Sequence, residues 1–467
     1  MRRLSLLLCP LLLCLLSLLA GCAAHPDLVR LYENSSDDPH QPPVIVLHGL
    51  AGSTLVDAKT GKEFWPGGLK SLAFSNYRDL AQMSAEDREG EGLVPGDLTY
   101  GVGGVDFYAD LLHALEAVGR FERGVPGQPV GPQRRRYYVF VYDWRKDNLV
   151  AVRKLHALID QVRVDYGDPA LKVDLIAHSN GGLIADYYLR YGPNDVLDAG
   201  PPYRTWAEGD TRIRRLVLLG TPELGAVTSL ERLIYGLRVG LGTVPVEVVA
   251  TFSTPYQALP HPLTRPVLDV RGAPVDIDLY DPAVWKRERW SVYSPDVEAR
   301  VRESMSEPIE GERAVNALQA TFDRNLRRAE RWQWALTAPL PPNHVETAVF
   351  GGDCVATPGH GVMLGEDGHS RLVFRAKDVT AGHDNANGGR RIAPVLDYGH
   401  LMTEPGDGLI TRSSQVARRP LGLAADDDRF HPLPAVQTFF LCESHGRLTH
   451  NLYFQNNLLY FLLGGQP

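Results

Sequence analysis

Short all-apolar runs alternate along the chain with segments of helical periodicity. Val44-Ile45-Val46-Leu47 has no polar position, as a strand buried on both faces requires. Residues 137–142 (YYVFVY), 171–177 (LKVDLIA) and 213–219 are further apolar-rich runs that read as strands. Among them, residues 106–119, 147–165 and 181–190 place apolar side chains at three- and four-residue spacing, which predicts helices. Strand and helix in succession point to an α/β architecture with a mostly parallel, doubly wound sheet. The succession stops at residue 225. Residues 226–340 are proline-rich and read as irregular up to a charged helix at about 312–334, so an inserted cap or lid is expected there. Strands resume at 347–350 and 436–441, and an apolar helix near 451–463 follows. The core is thus expected in two parts, 43–225 and 341–467.

The chain before the first strand follows another plan. Arg2 and Arg3 precede a leucine-rich run at 4–19, which Pro10 interrupts and which is short for a membrane-spanning helix. An export signal has this form. The run ends in Leu19-Ala20-Gly21-Cys22, which resembles the lipobox of bacterial lipoproteins. The resemblance implies that residues 1–21 are a signal peptide and that Cys22 is acylated. Several acyl chains, at about 0.8 kcal/mol per buried methylene, would hold a protein durably at a membrane. A plain secretory signal with a coincidental cysteine is the alternative. Ala23 supplies no inner-membrane aspartate signal, so the expected location is the cell envelope, with a lean to the outer membrane. Residues 22–42, including Asn34-Ser35-Ser36-Asp37-Asp38-Pro39, read as a polar tether.

Composition narrows the classes. The 467 residues are 44% apolar and 22% charged with a net charge of −8, which suits a folded globular chain and argues against nucleic-acid binding. A phosphate-binding GxxxxGK[ST] run, paired CxxC motifs and HExxH are missing, so nucleotide-loop and zinc-protease chemistry start unsupported, and no metal site is expected. Of the five cysteines, Cys9 and Cys14 would leave with the signal. Cys354 and Cys442 remain, each at the end of an apolar run. An exported protein would pair them, for roughly 4–5 kcal/mol in the loop-entropy model; two buried thiols are the other reading.

The chemistry centres on Ser179. Ala177-His178-Ser179-Asn180-Gly181-Gly182 sits where a buried strand turns into a helix, the context of a nucleophile elbow. The small residues Ala177 and Gly181 leave room for a strained serine, and the helix N-terminus favours developing negative charge. His48-Gly49-Leu50-Ala51-Gly52 directly follows the first strand, so the backbone N–H groups of Leu50 and Asn180 are the expected oxyanion donors. His48 precedes the serine and reads as structural, because triads on such sheets run serine, acid, histidine. Asp407, between Gly406 and Gly408, is the expected acid, with Asp353 as competitor. His445, after the last strand, is the expected base, with His450 as rival.

Several separated stretches together resemble the lecithin:cholesterol acyltransferase family of α/β-hydrolases. They are HGLAGSTLVDAKTGKEFWPG at 48–67, YDWR at 142–145, LIAHSNGGL at 175–183, LLGTPELGA at 218–226, STPYQALP at 253–260 and GDGLIT at 406–411. The resemblance implies an α/β-hydrolase fold, a triad of Ser179, Asp407 and His445, an oxyanion donor at Leu50, acyl-lipid substrates and no cofactor. Asn180 departs from the usual Met or Leu, and Leu409-Ile410 from the commoner Thr-Val. In that family, the segments at 53–106 and 226–340 carry lid and membrane-binding parts. Phe64, Trp65, Leu72 and Phe74 read equally as interfacial or core. The expected function is serine-dependent acyl transfer on lipid or other esters, as lipase, phospholipase or acyltransferase. A short-chain carboxylesterase and a catalytically silent, ligand-binding lipoprotein are the alternatives.

Overall fold

The computed structural model describes residues 26–464, apart from 33–40, 69–70, 72–74, 83–91, 100–106, 132–134, 341–343, 367, 380–395 and 426. Residues 1–21, expected as a signal peptide, and Cys22 lie outside the described residues, as do Leu72 and Phe74. Among the described residues the central sheet has seven strands: β1 (Val44–Leu47), β2 (Glu122–Arg123), β3 (Arg136–Phe140), β4 (Val173–His178), β5 (Ile213–Leu219), β6 (Glu346–Gly352) and β7 (Gln437–Leu441). Their order across the sheet is β7-β6-β5-β4-β1-β3-β2, and every pairing is parallel. The reversal of order beside β1 puts the loops after β1 and β4 next to each other, where open α/β sheets form their sites.

The all-apolar runs are explained by layers on both faces. Val44, Val46, Ile176 and Val217 face one way, toward helix α5 (Leu452–Leu463). Ile45, Leu47, Leu175 and Leu216 face the other, toward α1 (Asn148–Tyr166) and α2 (Asn180–Tyr191). The Asp147 side chain caps α1 by accepting from Leu149 N–H. Asp143, just before that helix, pairs with Arg145.

The chain between β5 and β6 corrects the expectation of irregular structure. It holds α3 (Val227–Tyr235), short helices at Val246–Val249, Thr254–Gln257, Pro282–Arg287 and Pro295–Glu303, and then α4 (Pro308–Leu336). Prolines open several of these helices, at positions where a missing N–H costs nothing. Helix α4 does not hang over the site. It covers α2, stacking Trp332 on Tyr187 at 4.6 Å, so every residue of α2 is buried.

The tether expectation also needs correction. Within 22–42, Leu28–Tyr32 is a helix whose Leu28 is buried with Val118 and Leu459, and the Tyr32 hydroxyl donates to Asn456 O at 2.8 Å. Leu28 and Tyr32 dock that segment despite its polar surroundings. Cys354 and Cys442 are disulfide-bonded, with their Cα atoms 4.9 Å apart, joining the ends of β6 and β7.

Candidate active site

Strand β4 delivers Ser179 into α2 with φ 55° and ψ −123°. A positive φ costs a residue other than glycine about 1–3 kcal/mol. Two bonds hold it: Ser179 N–H donates to Leu219 O on β5 at 2.8 Å, and Gly182 N–H donates to Ser179 O at 2.9 Å. Gly181 is required, since a Cβ there would lie 2.7 Å from His48 O. Gly49 is required too, since its Cβ would lie 2.7 Å from Ser179 Cβ. The β1 loop can therefore close on the serine.

The three residues expected as a triad come together. His445 Nε2 lies 2.9 Å from Ser179 Oγ, and His445 Nδ1 lies 2.7 Å from Asp407 Oδ2. Asp407 Oδ1 accepts from Leu409 N–H at 3.0 Å and Ile410 N–H at 2.7 Å, and Asp407 O accepts from His445 N–H at 2.8 Å. Asp407 reaches the site through an excursion after β6, whose strands Val355–Pro358 and Thr403–Gly406 pair antiparallel. The departure at Leu409-Ile410 leaves the bonds to Asp407 intact, because those bonds use only the two backbone N–H groups. The rivals are placed elsewhere. Asp353 faces Arg412 at 3.5 Å, and His450 closes a 3-10 turn after the base.

Leu50 and Asn180 line the same cavity as Ser179. The loop carrying Leu50 is tied down by Trp65, whose indole N–H donates to Ala51 O at 3.0 Å, and by Thr99, whose N–H donates to Gly52 O at 2.9 Å. Trp65 is thereby buried core, while Phe64 is half-buried. His48 has a structural place. It stacks on Tyr142 at 4.1 Å, and its Nε2 accepts from Tyr142 N–H, which leaves Nδ1–H for Gly49 O at 2.8 Å. Burial lowers its pKa to about 4 and keeps it neutral.

Of two residues beside Ser179, His178 lies within the elbow run and Tyr108 carries no motif signal. The Tyr108 hydroxyl accepts from Gly49 N–H at 2.9 Å, which turns its own proton toward His178 Nδ1, also at 2.9 Å. His178 lies 4.9 Å, ring to ring, from His445, and burial holds its pKa well below the usual value. A neutral neighbour does not oppose a positive charge on His445. Only the fold brings residue 108 to residue 178.

Asn180 is the departure with structural content. Its side-chain amide exchanges two hydrogen bonds with Asn148, at 2.8 and 3.0 Å, and donates to the Tyr142 hydroxyl at 3.0 Å. Asn148 N–H in turn donates to Gln257 Oε1 at 2.9 Å, which links YDWR and STPYQALP to the residue after the serine. Asn180→Leu keeps the backbone donor but orphans the Asn148 amide. Unfolding in urea is expected to show a loss of about 1–3 kcal/mol, with kcat within about tenfold of wild type. A loss of kcat beyond a hundredfold without a change in stability would refute this view of the side chain.

The cavity at Ser179 measures about 340 Å³. Leu50, Trp65, Phe107, Pro222, Leu237 and Ile410 make much of its wall apolar. A serine hydroxyl in line with an imidazole and a carboxylate, opening into such a cavity, is arranged for attack on a carbonyl at the end of an apolar chain.

The parallel sheet, the strained serine after its middle strand and the excursions that bring acid and histidine to one edge are the architecture of an α/β-hydrolase. The model of the lecithin:cholesterol acyltransferase family matches residues 130–271, which bears out the resemblance carried by the separated motifs. No curated protein matches the chain. Among solved structures, the Tle4–Tli4 complex is 14% identical over 90% of this chain and 98% of that one, with a TM-score of 0.54; this is a likeness of fold. EstA from Clostridium botulinum is 13% identical over 91% of this chain and 88% of that one, with a TM-score of 0.36. Lipase 1 from Pelosinus fermentans is 12% identical over 92% and 100%, also with a TM-score of 0.36. The family match and the fold support an ester hydrolase or acyltransferase in general terms.

Proposed function

We propose that this protein is a serine ester hydrolase or O-acyltransferase that works on lipid esters through an acyl-enzyme on Ser179. The observation that carries the reading is the unbroken chain Ser179–His445–Asp407 at the floor of a mainly apolar cavity. Ser179 Oγ attacks the ester carbonyl while His445 Nε2 takes its proton. Asp407 keeps Nδ1 protonated and balances the imidazolium. The N–H groups of Leu50 and Asn180 receive the oxyanion. On collapse, the C–O bond to the leaving alcohol breaks and His445 returns the proton to that alcohol. Water or a second alcohol then repeats the sequence on the acyl-serine, giving hydrolysis or transfer. The same reading places the protein at a bacterial cell envelope, anchored by acylation of Cys22 after removal of residues 1–21.

Fluorophosphonate labelling of the purified protein in neutral detergent tests the nucleophile. Wild type is expected to label and Ser179→Ala to remain unlabelled. Absence of label on folded wild type would favour a hydrolase fold that only binds a ligand. Turnover of long-chain lipid ester against a butyrate ester separates a lipid enzyme from a short-chain carboxylesterase, and a long-chain alcohol added to the assay reports transfer.

A further inference from the structure

The cavity that holds Ser179 carries positive charge in an acidic protein. Among the described residues its lining contains Arg232 and Arg238 and no Asp or Glu. Arg232 belongs to α3, whose Thr228 and Ser229 line the same wall one turn earlier. The helix turns its other side away. Glu231 pairs at 3.9 Å with Arg375, and the Tyr235 hydroxyl donates to Leu372 O at 2.6 Å. Among the described residues the Arg232 guanidinium has no hydrogen bond or ion pair, and the adjacent Glu231, whose charge acts on it, is turned to Arg375. Arg232 is half-buried, and enclosure pulls its guanidinium below the usual arginine range. Arg238 sits on the hairpin Leu237–Val239/Gly242–Val244 that follows α3, exposed and lining the cavity as well. Enclosing a cation without a counter-charge is costly, and a guanidinium fork matches a phosphate or carboxylate in two hydrogen bonds.

We infer that Arg232, assisted by Arg238, forms an anion subsite of the ester cavity and selects esters that carry a negative charge near the scissile bond. The inference rests on the ester-hydrolase reading and names what that reading leaves open, the charge of the substrate. Two sources share this chemistry: a phosphodiester on the alcohol side of a lipid, and a carboxylate on the acyl side.

Two pairs of esters separate them, assayed with the mature protein in neutral detergent micelles. One pair is a diacyl phospholipid against the diacylglycerol with the same chains. The other is a p-nitrophenyl ester of adipic acid half-ester against p-nitrophenyl hexanoate. In at least one pair, Arg232→Gln is expected to lower the anionic-to-neutral ratio of kcat/KM about tenfold or more, with Arg232→Lys in between and Arg238→Gln smaller. The pair that responds identifies the side of the ester that bears the charge. A second readout needs no turnover. Hexadecyl phosphate is titrated against Ser179→Ala protein by tryptophan fluorescence, since Trp65 lines the cavity, with hexadecanol as the neutral control. Adding Arg232→Gln is expected to weaken the phosphate tenfold and hexadecanol by less than threefold. Ratios and affinities within twofold of the Arg232 protein overturn the subsite. Binding that depends on Arg232 without turnover of any ester keeps the subsite and overturns the hydrolase reading. Unchanged thermal unfolding of Arg232→Gln establishes that it is folded.

Discussion

Ser179→Ala is expected to lower kcat on any ester substrate by about 10⁶, and Asp407→Asn by about 10⁴. The first removes the attacking atom. The second is the finer test, because it changes one proton. Asp407 Oδ1 already receives the N–H groups of Leu409 and Ile410, so an asparagine cannot turn its NH₂ that way. It must present the amide to His445 Nδ1, where the carboxylate Oδ2 now sits at 2.7 Å. The imidazole then accepts at Nδ1 and carries its proton on Nε2, facing Ser179 Oγ, so it can no longer take the serine proton. Steady-state kinetics with near-ultraviolet circular dichroism separates this from unfolding. Asp353→Asn is the control: it faces Arg412 and is expected to change kcat by less than about threefold. Equal losses in the two variants would rule out Asp407 as the acid.

Arg190→Met is expected to destabilise the fold by about 3–5 kcal/mol, because it leaves a buried carboxylate without its cation. Arg190 is fully buried on α2. Its Nε donates to Asp186 Oδ1 at 2.6 Å, one terminal nitrogen to Ala338 O at 2.6 Å and the other to His431 O at 2.9 Å. Glu223 is buried near the same pair, and burial, reinforced by the negative charge of Asp186, pushes its carboxyl well above the ordinary range. Burial raises Asp186 as well, while Arg190 opposes the rise. With Arg190 gone, Asp186 must take a proton and two carbonyls lose their donor. Urea unfolding should show a lower midpoint with an unchanged slope. The double variant Asp186→Leu/Arg190→Met should recover part of the loss, since an apolar pair avoids the unpaired charge. A midpoint equal to wild type would mean that water replaces the arginine. The cluster ties the helix behind Ser179 to the end of the insertion at Ala338, so stability and site geometry are joined there.

How far the chain could be read depended on how local each determinant is. Strands β1, β4 and β5 were legible because burial on both faces leaves a short run mostly apolar: wholly so in β1, with Asp174 and His178 in β4 and Arg214 and Arg215 in β5 as the polar exceptions. Ser179 was legible because an elbow needs small neighbours within a few residues. Asp407 and His445 followed from chain order and from the turns that bear them. The helices between 227 and 303 were not legible: most are shorter than two turns and depend on packing rather than on their own periodicity. The docked helix at Leu28–Tyr32 was missed for the same reason.

The local pattern of apolar positions, small residues and turns thus determined the α/β class, the place of Ser179 at the elbow and the kinds of residue expected beside it. Chain order favoured Asp407 over Asp353 and His445 over His450, but only the tertiary structure brings the favoured pair to Ser179 and leaves the rivals apart, because distance across a sheet edge is not written in sequence spacing. It alone joined Tyr108 to His178 and Asn148 to Asn180. It alone put Arg232 on the wall of the cavity that holds Ser179, with no ion pair among the described residues, since a helix decides which side chains share a wall only once its neighbours are packed against it.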